Sequence, residues 1–127
     1  MSRDRLPAPR DPVARVRALC TAYPGTQERQ SHGEPAWFAG GTKLFVSYAD
    51  HHHDDRVAIW AAAPPGSQEA LLAAQVEGVF RPPYVGHRGW VGVYLDLPDV
   101  DWDRVALLVD DAWRCVAPRR LLAEHDG

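Results

Sequence analysis

Lysine is almost missing from this chain: of 127 residues only Lys43 is one, and the other cationic side chains that are always charged are arginines. Acidic residues outnumber Lys and Arg by 17 to 14, a formal charge of −3. A protein that grips nucleic acid over a broad surface carries a basic excess or a dense basic stripe. The balance here counts against that mode and leaves room only for a local patch. Cysteine is scarce too, with Cys20 and Cys115 alone, both in stretches of helical pattern. Without a secretion signal they are expected as reduced, buried thiols. Each falls near a helix C-terminus, where the dipole raises a thiol's pKa, so neither is expected as a nucleophile. No apolar run approaches the roughly 20 residues that cross a bilayer. The first residues lack the apolar core of a signal peptide. The expected address is the cytoplasm, with no membrane contact. GxSxG, P-loop, Rossmann, HExxH, CxxC and EF-hand patterns are all absent from the sequence. No catalytic constellation, enzymatic activity or cofactor is therefore expected.

What is present describes an ordinary globular chain, 46% hydrophobic and 24% charged, with five Trp to anchor one core. Residues 1–10, MSRDRLPAPR, have no periodicity and read as a flexible arm. Residues 11–123 read as one domain and residues 124–127 as a tail. Asp11 can cap a helix with Pro12 at its first position, and Pro24-Gly25 stops it. Val13, Val16, Leu19, Cys20 and Tyr23 share one face of that helix. ERQSHGEPAWFAGG reads as a strand, a bend at Gly33–Pro35 and a short strand turning at Gly40-Gly41. TKLFVSYAD alternates Leu44, Val46 and Tyr48 against Lys43, Phe45 and Ser47, and RVAIWAAA is its partner across the HHHDD tip. Helix is expected again after a Ser67 cap, through Ala74 and ending by Gly78. Trp90 to Leu95 reads as a strand, with Trp90, Gly92 and Tyr94 on one face. Asp101 caps a last amphipathic helix whose stripe is Trp102, Val105, Ala106, Leu108, Val109, Ala112, Trp113 and Val116. Pro118 breaks it, and a turn from Arg119 to Leu122 follows. Short connections imply antiparallel pairing. The expected fold is α+β: a two-layer antiparallel sheet flanked by helices, in the order α-β-β-β-α-β-β-α.

Three clusters could carry chemistry. His51, His52 and His53, followed by Asp54-Asp55, are ligand types for a transition metal. Consecutive residues of a turn point in alternating directions, so they form at most a weak metal candidate and are read as a solvated tip. His32 and Glu34 share a strand face without making a catalytic pair, and GEPAW reads as a bend. The acidic series Asp96, Asp99, Asp101 and Asp103 lacks the Gly and distal Glu of a calcium loop. The most substantial cluster is RPPYVGHRGW, where Arg81, His87 and Arg88 flank a Pro-Pro-Tyr turn and Trp90 follows. Arginine beside an aromatic ring can grip a phosphate or stack on a base. The same residues can instead build the entry to a core strand.

The pieces LCTAYPGTQE, GEPAWFAGGTKLFVSYAD, FRPPYVGHRGWVGVYLD and LLVDDAWRCV, in that order, resemble the MmcQ/YjbR family over roughly residues 13–122. The resemblance implies a compact α+β fold of the kind seen in secretion chaperones, with two hairpin-like wings on an antiparallel sheet. Most members have no established activity, and no catalytic residues come with the likeness. The family is usually labelled DNA-binding. On that reading Lys43 and Arg56 of the first hairpin, and Arg81, His87, Arg88 and Trp90 of the second wing, contact DNA. Arg3, Arg5 and Arg10 would assist, and binding would weaken steeply with salt. The family's signature corner often holds a lysine where this chain has Gly86-His87-Arg88. The alternative reading is a protein- or peptide-binding module that receives its partner on an apolar sheet face or an edge strand, self-association included.

Overall fold

The computed structural model describes residues 11–50 and 56–127; the expected arm at 1–10 and the His51, His52 and His53 tip lie outside the described residues. Asp11 caps the first helix, α1 (Pro12–Thr21), its carboxylate accepting from the Val13 amide at 3.1 Å. β1 (Thr26–Ser31) and β2 (Glu34–Ala39) follow. They are joined by a two-residue turn in which His32 and Gly33 both take left-handed backbone, φ 53° and 83°. The expected bend at Gly33–Pro35 is thus a hairpin turn one residue earlier, and Pro35 lies inside β2 opposite Gln30. The chain continues through β3 (Lys43–Asp50), β4 (Val57–Ala61), α2 (Ser67–Ala73), β5 (Val79–Phe80), β6 (Val91–Tyr94), α3 (Trp102–Val116) and α4 (Arg119–Asp126). Four strands precede α2 where the expected order had three, and a fourth helix closes the chain. Among the described residues no helix is long and apolar enough to cross a membrane.

The six strands form one sheet in the order β1-β2-β3-β4-β6-β5, and every pairing is antiparallel. Alternation assigns the two faces. Trp37, Val46, Ile59, Ala61, Val91 and Val93 point to the face covered by α1 and α3, and all are buried. A bulge between Trp37 and Phe38 makes Trp37 face Val46 and Phe38 face Leu44, so Phe45 is the extra residue. Leu44 therefore leaves the set of Val46 and Tyr48, where strict alternation placed it, and joins Ser47 on the opposite face.

The helices close the covered face as their patterns dictate. Asp101 caps α3 by accepting from the Arg104 amide at 3.1 Å. Val105, Leu108, Val109, Ala112 and Trp113 form its buried stripe, while Trp102 sits at the margin under the Arg15 guanidinium. α2 begins one residue earlier than its Ser67 cap implied: left-handed Gly66 is the N-cap and Ser67 makes no capping bond. The helix stops at Ala73, with Gln75 left-handed at φ 54°. α4 runs to Asp126, so residues 124–126, read as tail, are helical. Leu121 packs on Gly25, where an added Cβ would meet its Cδ1 at 2.6 Å. His125 lies against the rings of Tyr23 and Trp113, with centroids 5.0 and 5.2 Å away, and Asp126 pairs with Arg114 at 3.0 Å. Cys20 is buried as expected, but Cys115 is exposed, since it falls off the buried stripe of α3.

Candidate binding groove on the open face of the sheet

Among the described residues no helix covers the face opposite α1 and α3, and the aromatic residues of that face are sheltered in two different ways. On the β1–β2 side, Arg29 lies over the Phe38 ring at 4.0 Å and donates to the Gly41 carbonyl. On the β5–β6 side, Phe80 stacks on Tyr94 with centroids 4.2 Å apart, and Arg56 covers Tyr94 at 3.7 Å. Gly92 is needed beneath that stack: a Cβ there would stand 2.4 Å from Phe80 Cζ. Between these two arginine-capped aromatics, over β3 and β4, lies a groove of about 430 Å³. That volume falls in the range of small-ligand pockets.

Three separate segments build the groove. Leu44 and Ser47 of β3 and Trp60 of β4 make the floor, and Ser47 and Trp60 are cross-strand partners. Tyr84 and Val85 of the β5–β6 loop form one wall; Ser31 at the end of β1 and His32 of the turn after it form the other. A smaller recess continues past Ser31, His32, Ser47 and Trp60 to Glu34. Tyr84 is a large aromatic left 70% exposed, in left-handed backbone at φ 64°. A bulky residue in that region is a genuine outlier, and such outliers cluster at functional sites. His32, on the facing wall, is left-handed as well.

Gln68 of α2 holds the Tyr84 wall in place. Its amide nitrogen donates to the carbonyls of Gly86 at 2.9 Å and Trp90 at 2.5 Å, and its oxygen accepts from Arg81 at 3.4 Å. It is the one buried polar or charged residue among those described. Every strong hydrogen-bonding group of this side chain is thereby used inside the loop 81–90, as a buried amide requires. Gly86 lies so close to the Arg81 stem that a Cβ would stand 2.7 Å from its Cγ.

The six residues expected to contact DNA do not form one patch. Arg56 sits at the end of the sheet where β3 finishes; Lys43, Arg81, His87, Arg88 and Trp90 sit at the opposite end. Arg56 makes a two-pronged ion pair with Asp96, at 2.8 and 2.9 Å, and Asp96 also accepts from the Val57 amide. The Arg56 guanidinium, helped by that amide, holds the Asp96 carboxyl below the usual carboxylate range. Trp90 is buried, with Arg88 above its ring at 5.4 Å. Lys43, His87 and Arg88 are exposed. Elsewhere, Arg17 pairs with Glu28 at 2.7 Å, and Arg114 pairs with both Asp110 and Asp126 at 3.0 Å. Among the described residues no group of three or more His, Cys, Asp and Glu is placed to hold a metal.

Sequence reasoning passed over Leu44, Ser47, Trp60, Val85 and Gln68. It set aside His32 and Glu34, which are no catalytic pair but do share the groove. The available signal was Trp60, the one large aromatic in an otherwise small and aliphatic strand.

The YjbR family model matches residues 21–115. Among curated proteins nothing matches. Among solved structures the fold is similar to that of protein DR2400 of Deinococcus radiodurans, described as a DUF419 domain, with a TM-score of 0.64 and 16% identity. The likeness covers 80% of this chain and 75% of that one. At that identity the likeness speaks for the fold, while the family match spans two of the four sequence pieces quoted above and most of the other two. The chain belongs to the YjbR family.

Proposed function

We propose that this protein is a binding module that receives a peptide segment of a partner protein on the open face of its sheet. One observation carries the reading: the groove of Leu44, Ser47, Trp60, Tyr84 and Val85 exposes apolar and aromatic surface between two arginine-capped aromatics. Buried aromatic anchors surrounded by polar groups are the composition of protein-binding hot spots. Ser31, His32 and Ser47 supply the polar rim.

The DNA reading receives less support. It draws on Lys43, His87 and Arg88, exposed at one end of the sheet. The Arg56 charge is matched by Asp96 at the other end, and the whole chain is acidic. Counterion release needs several phosphate contacts to give useful affinity, and that scattering provides few.

Panning a random twelve-residue peptide library on the immobilised full chain separates the two. Selected peptides are expected to lose about 30-fold in affinity against Trp60→Ser, the equivalent of a 2 kcal/mol hot spot. Tyr84→Ser, at an exposed position, is expected to weaken them without loss of fold. Absence of selected peptides, or selection unaffected by both substitutions, overturns the reading. Mixed duplex DNA that binds at low salt and loses affinity with Arg88→Ala would put the DNA reading in its place.

A further inference from the structure

A second pocket lies on the β5–β6 side of the sheet, where β6 leads into α3. It holds about 270 Å³ and shares no lining residue with the groove. Val76, Val93, Leu97 and Val100 supply its apolar lining. The Tyr94 ring, already engaged by Phe80 and Arg56, adds no open surface. Its walls are tied together at Gly78, in left-handed backbone at φ 83°. A Cβ there would stand 2.9 Å from Leu97 Cδ1, and the Gly78 carbonyl accepts from the Tyr94 amide at 2.9 Å. The volume lies just under the range of drug-sized ligands and suits a smaller molecule.

The pocket carries charges of both signs: Glu77, Asp99, Asp101 and Arg104 complete the lining. Asp101 is occupied as the α3 cap, accepting from the Arg104 amide at 3.1 Å. Among the described residues the side chains of Glu77, Asp99 and Arg104 make no ion pair or hydrogen bond, whereas Arg17, Arg56 and Arg114 are all paired. These unmet charges select the occupant. A metal ion is not favoured, since no three carboxylate, His or Cys groups among the described residues converge on one point. A simple cation would meet Glu77 and Asp99 but be repelled by Arg104, and a simple anion would meet Arg104 but be repelled by the carboxylates. An uncharged apolar molecule would leave both signs unmet. Asp99 lies two residues before the Asp101 cap and Arg104 three after it, so opposite charges come from one end of the pocket. A ligand with an ammonium and a carboxylate on one carbon meets both.

We propose that this pocket binds a free α-amino acid with an apolar side chain. Arg104 takes the carboxylate, Asp99 and Glu77 take the ammonium, and the side chain lies against Val76, Val93, Leu97 and Val100. The site is separate from the peptide groove, so the failure of either reading leaves the other standing.

The test titrates the isotope-labelled full chain with L-leucine, leucinamide, 4-methylpentanoate and glycine, reading amide shifts at Val76, Val93, Leu97 and Val100. Leucine is expected to move them saturably. Leucinamide lacks the carboxylate and 4-methylpentanoate the ammonium, and each is expected to bind about tenfold more weakly, the cost of losing a hydrogen bond to a charged group. Glycine, with no side chain for the apolar lining, is expected to be as weak. Arg104→Gln is expected to cost leucine about tenfold and leucinamide almost nothing. Glu77→Gln combined with Asp99→Asn is expected to weaken leucine equally and to spare 4-methylpentanoate. Leucinamide or 4-methylpentanoate binding as tightly as leucine would reduce the site to a single charge and overturn the inference. Glycine matching leucine, or all four ligands leaving the pocket unmoved, would overturn it too.

Discussion

The side chain of Gln68 donates to the carbonyl of Trp90 at 2.5 Å, joining α2 to the residue that leads into β6. Through that bond and its partner at Gly86, the one buried polar side chain among the described residues ties down the loop that carries Tyr84. Gln68→Ala leaves two carbonyls short of a donor and is expected to destabilise the fold by about 2 kcal/mol, the usual cost of a buried unsatisfied group. Urea unfolding measures it. Amide exchange across residues 81–90 should quicken at the same time, because the loop loses its strut. Unchanged exchange there would show that Gln68 does not hold the wall.

Gly92 tests the open face from below. Gly92→Ala forces a Cβ into the Phe80 ring, 2.4 Å from Cζ. Overpacking of that size is expected to cost about 1–3 kcal/mol and to separate Phe80 from Tyr94. Thermal unfolding and the ring shifts of Tyr94 would report both.

Acid should weaken the fold through its arginine-paired carboxylates. Asp96 and Glu28 are held below the usual carboxylate range, each first by its hydrogen-bonded arginine, Arg56 and Arg17 respectively. A carboxylate with a lowered folded pKa adds stability above its unfolded value, near pH 4, and loses it as pH falls through the lowered value. Arg56→Gln is therefore expected to cost about 1 kcal/mol at pH 7, as an exposed pair does, and nothing once Asp96 is protonated. Denaturant midpoints at pH 7 and at successively lower pH, through the acid limb where Asp96 takes up its proton, give the comparison. A loss that stays constant all the way down the acid limb would locate the effect in packing over Tyr94.

The two thiols should behave differently. Burial pushes the Cys20 thiol far up, and Cys115, exposed but partly desolvated and close to Asp111, is raised less. A thiol reagent at pH 8 is expected to modify Cys115 slowly, faster as pH rises, and to reach Cys20 only after unfolding. One fast and one slow thiol at neutral pH would contradict this.

Local chemistry made much of the fold legible. Asp11-Pro12 and Asp101 mark helix starts because capping is a short-range event, and the stripe of α3 is periodic. The bulge at Trp37–Phe38 was not legible, since no residue there demands it, and it moved Leu44 to the other face. α4 extends past Leu122 because Leu121, His125 and Asp126 find Gly25, Trp113 and Arg114, partners that only the folded chain brings near. The groove stayed hidden for the same reason: its walls come from residues 31–32 and 84–85, and its floor from two strands. The pairing of Arg56 with Asp96, forty residues apart, turned an expected DNA contact into a matched charge.

The most direct measurement is the affinity of a library-selected peptide for the wild type, Trp60→Ser and Arg88→Ala at two salt concentrations. A groove-bound partner requires a loss of about 30-fold with Trp60→Ser, less than about twofold with Arg88→Ala, and little change with salt. A large loss with Arg88→Ala, a steep salt dependence and indifference to Trp60→Ser would place binding on the cationic corner instead.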